Sequence, residues 1–248
     1  MRSNWHKGVG IALAGAAIAF NPATLTAAVA ATSTDRAHVA LDAQGHPALV
    51  GVWTPVIHED QYQRGPGPAQ GEYWGLPIND KARAIADRWD PASQLENENQ
   101  CLSHTSIYMM RSPFKFEIVK SDNMTVLATE SFESIRVFYT DGRKHHPKGA
   151  AHTRMGNSIG RYNGDMLVVE TDHMEEGYIE RNGVLHSPDA VLTEYWTTQS
   201  GSFGDLITIV QVVEDPEYLT EPLVRSVTFQ KVPDAHLEPY PCVVLDLY

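Results

Sequence analysis

The sequence predicts a mainly β fold, an antiparallel up-and-down β-barrel of about ten strands, and three observations carry the prediction. From residue 102 onward, β-branched and aromatic runs recur at short intervals with turn chemistry between them. Asn163-Gly164 is a strong two-residue hairpin signal, with weaker ones at Ser121-Asp122-Asn123 and at residues 200–204. Against these stands one convincing helix, residues 80–89, with Asn79 as its N-cap and Pro91 as its stop.

Taken in order, residues 49–56 (LVGVWTPV) form the first strand, and Pro55 marks where regular pairing ends. Residues 57–100 read as a lid-like insertion that carries the Gly/Pro-rich stretch from Arg64 and the helix. The remaining strands are expected at 102–110, 114–120, 124–131, 134–140, 158–162, 165–171, 190–198, 205–214 and 223–231. Alternation gives their buried faces. Glu194 shares a face with Leu192 and Trp196, and Arg225 shares one with Leu223, Val227 and Phe229. A lone desolvated charge costs several kcal/mol, so the two are expected to pair with each other or with another polar group. Such a pair is either a structural ion pair or part of a ligand-facing surface.

Residues 1–30 read as an export signal: Arg2 and Lys7 precede an apolar run, and Ala28-Val29-Ala30 supplies a small-x-small cleavage pattern. Residues 31–248 then make a single domain, periplasmic or secreted, with no later stretch long enough for membrane insertion. The chain carries 31 acidic against 19 basic residues, a formal charge of −12, which argues against nucleic acid and anionic membranes as partners. Its two cysteines, Cys101 and Cys242, are expected to form one disulfide in an oxidising compartment, the alternative being two free thiols.

Seven of the eleven histidines fall in or beside the long polar segments: His58, His104, His145, His146, His152, His173 and His186. In an up-and-down barrel successive connections alternate between ends, and this count places 57–100, 121–123, 141–157, 172–189 and 215–222 together at one mouth. Long loops over a mouth are where small barrels bind ligands. His58-Glu59-Asp60 joins a base to two carboxylates, and Asp172-His173 with Tyr178 repeats the theme, His173 continuing the parity of Leu167, Val169 and Thr171.

Gly51-Val52-Trp53 with Arg225 is similar to the lipocalin-type G-x-W strand, whose Trp is covered by an Arg near the barrel's closed end. The stretches WTPVIHED from Trp53, GLPIND from Gly75, YNGDMLVVETDH from Tyr162, GYIERNG from Gly177 and VEDPEYLTEP from Val213 together resemble an exported bacterial family. The resemblance implies a lipocalin-like barrel and an exported soluble protein; it carries over no catalytic residue.

The function expected is a cofactor-free acid/base enzyme, a lyase or isomerase, acting on a small hydrophobic or aromatic hydroxylated molecule by retro-aldol cleavage, elimination or a proton shift. His58, Glu59, His146, His173 and Tyr178 are its candidate catalytic residues, and His104, Glu194, Trp196 and Arg225 its candidate substrate contacts. No cofactor is implied: the chain has no P-loop, dinucleotide fingerprint or G-x-S-x-G elbow. One alternative is a lipocalin-like carrier of a lipophilic molecule. The other is a metal hydrolase using His145, His146 and His152, although neither HxH nor HExxH spacing occurs.

Overall fold

In chain order the strands are β1 (His38–Val39), β2 (Gly51–Pro55), β3 (Phe116–Lys120), β4 (Met124–Thr129), β5 (Ile135–Tyr139), β6 (Asn157–Asn163), β7 (Met166–Asp172), β8 (Gly177–Glu180), β9 (Val184–His186), β10 (Val191–Gly201), β11 (Gly204–Glu214) and β12 (Leu223–Lys231). This computed structural model describes residues 37–56, 68–238 and 240–245. The expected leader, His58 and Glu59 lie outside the described residues. Strands β2 to β7 and β10 to β12 pair edge to edge, and β7 closes the ring on β10, giving a barrel of nine strands. β1 pairs outside the ring, at the far end of β10, while β8 and β9 form a separate hairpin. Among the described residues no helix is long and apolar enough to cross a membrane.

A ring in which every neighbour is antiparallel must contain an even number of strands. Nine strands therefore need a parallel pair, and it is β5–β6, matched through Phe138 with Ser158 and Tyr139 with Ile159. Residues 141–156 are consequently a crossover that climbs the outside of the barrel, where a hairpin loop was expected. Residues 102–110 depart from expectation too. They hold α3 (Ser106–Met109), whose first turn closes when Met109 N–H donates to Thr105 O at 2.9 Å. Ile107, Tyr108, Met109 and Met110 are all buried, so this segment is a plug over the barrel and shows none of a surface helix's one-sided pattern.

The two departures cancel in the count of ends. With β2 rising, its exit, residues 173–190 and residues 215–222 all lie at the upper end, and the crossover arrives there. The turn at 121–123 is at the lower end, and the connections through Arg111-Ser112-Pro113 and Phe132 are at the upper one, the reverse of the sequence expectation.

The insertion supplies the cover. α1 (Asp80–Ala86) starts where Asn79 Oδ1 accepts the Ala82 N–H at 3.0 Å, as expected, and buries Ala82 and Ala86. It stops well before residue 89, giving way to a turn at Pro91–Leu95 and to α2 (Asn97–Gln100). Its buried face joins Ile107, Ile179, Val184, Leu192, Val213 and Leu223 in an upper apolar cluster, while Trp53, Leu127, Phe138, Trp196 and Phe229 fill the lower barrel.

Trp53 Nε1 donates to Leu49 O at 2.8 Å, and the cation over its ring is Lys231, 5.6 Å from the centroid. The resemblance to the lipocalin strand led to Arg225 in that place; Arg225 stands higher in the barrel. Gly51 makes the substitute possible. Its φ is +132°, and a Cβ there would lie 2.7 Å from Lys231 Cε, so only glycine lets the lysine cross to the indole.

Candidate functional site

Between the two apolar clusters lies a polar layer. Read downward, the inward residues of β10 are Leu192, Glu194 and Trp196, those of β11 are Val213, Gln211 and Ile209, and those of β12 are Leu223, Arg225 and Val227. Glu194 is fully buried and forms an ion pair at 2.7 Å with the equally buried Arg136 of β5. Gln211 Nε2 donates to Glu194 Oε1 at 3.0 Å, and Arg225 Nε donates to Gln211 Oε1 at 2.9 Å. The expected partnership of the two interior charges is therefore indirect, with Gln211 between them. Arg225 also donates to Ile107 O and Ile179 O, and Arg111 pairs with Glu180 beside it. The polar layer thus holds the plug and the β8–β9 hairpin onto the barrel by their backbone carbonyls. Trp196 lies below it, edge-to-face on Phe138.

The histidines of the crossover gather on the barrel's outside. Asp172 and Glu170 face outward from β7, and the ring of His145 spans them, with Nδ1 2.9 Å from Asp172 and Nε2 3.2 Å from Glu170. His173 leaves the strand with a φ of +54°, so it does not continue the inward parity of Thr171 as expected. Its Nδ1 meets Asp172 at 2.8 Å and its Nε2 meets Pro147 O at 2.9 Å. The Asp172 carboxylate, chiefly, raises its pKa above the usual histidine value. When protonated, this ring has both nitrogens beside acceptors and clasps the crossover to the barrel. His146 is exposed, with its backbone N–H on Asn157 Oδ1, and the Nδ1 of His152 is engaged by Met174 O. Among the described residues no three His, Cys, Asp or Glu side chains are arranged to hold a metal ion.

The cavity lies elsewhere at the upper end. It measures about 900 Å³ and is lined by the plug, the turn after α1, the β4–β5 connection, the β8–β9 hairpin and the C-terminal tail. That is ample for a small organic ligand. His104 and Tyr178 line it, joined by Tyr108, Arg111, Phe132, Arg154 and Arg181. The ring of His104 packs edge-on against Tyr108 and Phe132, at 4.6 and 5.4 Å between centroids, and among the described residues neither of its nitrogens has a hydrogen-bond partner. Phe132 reaches it from a strained backbone, φ +53° and followed by Glu133 at +48°. Left-handed non-glycine residues of this kind cost about 1–3 kcal/mol each and gather where a side chain must be aimed. Burial above all, then the charges of Arg181 and Arg154, pushes the pKa of His104 down to about 4. It is a neutral imidazole at pH 7. Tyr178 accepts a hydrogen bond from Trp89 Nε1 at 3.1 Å.

His186 docks the hairpin to the plug by Thr105 Oγ1 at 2.7 Å, and burial, chiefly, holds its pKa down to about 4. Between pH 4 and 6.5 the unfolded chain therefore binds a proton that the folded one refuses. Stability is expected to fall as pH drops from 6.5 to 4, by about 3 kcal/mol from this residue. The raised His173 acts oppositely, stabilising below pH 6.5 and losing that contribution as pH rises through its own value. Urea titrations of the protein and of His186→Gln across this range check the expectation; equal pH slopes would refute it.

The sequence candidates thus fall into three places: Glu194, Trp196 and Arg225 inside the barrel, His146 and His173 in the outer clasp, and His104 and Tyr178 in the cavity. Arg111, Arg154, Arg181, Tyr108 and Phe132 were missed. Arg111 stood at the edge of an expected strand and Arg181 within GYIERNG, and no spacing ties either to His104. Comparison with protein-family models and with curated proteins finds no match to this chain.

Proposed function

We propose that the protein is an exported, cofactor-free acid/base enzyme, a lyase or isomerase, and that it acts on a small hydrophobic or aromatic hydroxylated molecule in the cavity above the barrel, with His104 as proton acceptor. The observation that carries this reading is the His104 ring: neutral, unpartnered among the described residues, and packed against aromatic side chains in a cleft that opens to solvent. A general base needs a free lone pair within reach of the substrate, and His104 has one. His173, favoured by sequence, has both nitrogens engaged outside the cavity. Tyr108 and Tyr178 line the same cavity, and we assign their hydroxyls the support of a developing oxyanion. The disulfide supports the exported location.

The test is proton exchange. In D2O, a panel of hydroxylated aryl ketones is expected to lose α-protons to solvent with the wild-type protein, about 100-fold slower with His104→Gln, and unchanged with His173→Gln. Exchange that survives His104→Gln would remove the named base. A carrier function rests on the same cavity and predicts binding without exchange in any variant.

A further inference from the structure

We infer that the ligand of this cavity is an aromatic carboxylate, held through its anionic group by Arg154 and Arg181, an inference that rests on the cavity being the binding site. The chain has 31 acidic residues to 19 basic, yet among the described residues the cavity wall carries Arg111, Arg154 and Arg181 and not one Asp or Glu. Arg111 is already neutralised by Glu180. The other two are not matched in the same way.

Arg154 is fixed by neutral acceptors, Nε on Ser103 O and Nη1 on Glu176 O, both at 2.7 Å. Its nearest carboxylate, Glu175, is 3.7 Å away and half exposed, so solvent screens that pair while Arg154 itself is mostly buried. Arg181 meets only the neutral Gln94 Oε1, at 3.4 Å, and among the described residues no carboxylate stands within ion-pair distance of it. Two guanidinium groups are thus partly withdrawn from water, oriented by neutral groups, and left with most of their charge uncompensated. Burial lowers the pKa of Arg154, though not enough to discharge it. An oxyanion between them would supply the missing partner through charge-assisted hydrogen bonds.

The rest of the wall asks for an aromatic body. Phe114, Phe132, Tyr108 and Tyr240 present ring surface. The volume, about 900 Å³, takes a ligand of two rings more readily than one. Anion binding has a further consequence for the base. Arg181 and Arg154 both disfavour the protonated form of His104, whose ring packs against Tyr108 and Phe132. Neutralising the arginines relieves that repulsion, so the substrate's own carboxylate raises the basicity of the group that attacks it.

The experiment compares biphenyl-4-carboxylate with biphenyl-4-carboxamide, an anion and its neutral near-isostere, by calorimetry, with the His104 ring proton followed by NMR. The acid is expected to bind at least about 10-fold more tightly. Arg181→Gln and Arg154→Gln should each erase most of that preference, and Arg181→Glu should reverse it. Arg143→Gln, on an exposed arginine paired with Asp141, should leave it intact. The midpoint of the His104 titration should rise with the acid and stay with the amide. Equal binding of acid and amide would overturn the carboxylate inference while leaving the cavity as the binding site. Binding of neither, or binding that leaves the His104 resonance unmoved, would overturn both.

Discussion

Replacing Glu194 by alanine is expected to lower the free energy of unfolding by about 3–5 kcal/mol, the usual cost of stranding one partner of a buried ion pair. Glu194 and Arg136 are both fully buried, so the exchange leaves a guanidinium with, among the described residues, only Ser158 Oγ and Thr171 Oγ1 as acceptors, at 3.3 and 2.8 Å. Gln211 Nε2 loses its acceptor at the same time. Glu194→Gln keeps the shape and part of the hydrogen bonding but still strands Arg136, so it should be nearly as harmful. The informative variant is Arg136→Met with Glu194→Leu, which removes both charges and fills the space. It is expected to come close to wild-type stability, giving a coupling energy of several kcal/mol in a double-mutant cycle measured by urea unfolding. A single-variant cost below about 1 kcal/mol would mean that water reaches the layer and that the barrel interior is wetter than the packing around it suggests.

This layer also shows how far sequence parity reaches. Glu194 and Arg225 were legible as interior because each alternates in step with large apolar neighbours on the same strand. Gln211 is in step with Ile209 and Val213, and Arg136 with Phe138, so the same rule held the complete network; charge drew attention to two of its members and amide neutrality hid a third. Residues 102–110 were misread because Ile107, Tyr108, Met109 and Met110 are buried on every side. A segment without an exposed face has no period to read. The parallel pair β5–β6 was hidden for another reason: a long polar segment has the same composition whether it turns back or crosses over. The Asn163-Gly164 hairpin, whose chemistry is entirely local, was read correctly, with Gly164 at φ +61° between paired Asn163 and Met166. The cavity lies at the other extreme. Its wall is assembled from residues near 93–114, 131–132, 154, 178–181 and 240–243, and a surface drawn from five separated segments leaves no spacing signature in any one of them.

The last of those segments depends on the disulfide. Cys101 and Cys242 are joined across 141 residues, and a loop of that length is worth about 4–5 kcal/mol in the chain-entropy account of cross-linking. Replacing both cysteines by alanine is therefore expected to lower stability by up to that amount, about 10–15 °C in Tm for a domain of this size. The figure is a ceiling, because removing the link also frees the native chain. Residues 240–245 have no regular structure, and Tyr240, Val243 and Leu245 are each more than half exposed. Apart from the disulfide, the tail is held by Gln100, whose side chain exchanges two hydrogen bonds with the Leu245 backbone at 2.8 and 2.9 Å, and by Phe114 packing on Tyr240. If those contacts hold the tail in place, the double variant loses most of the 4–5 kcal/mol and still binds biphenyl-4-carboxylate in the cavity. If they do not, the tail detaches in the folded state, the measured loss shrinks, and affinity falls with it because Tyr240 and Val243 leave the wall. In the double variant, therefore, a full stability loss should go with retained affinity, and a small stability loss with weakened affinity. A variant that lost both in full would instead place the disulfide at the centre of the fold, and the tail could not then be treated as one movable wall of the cavity.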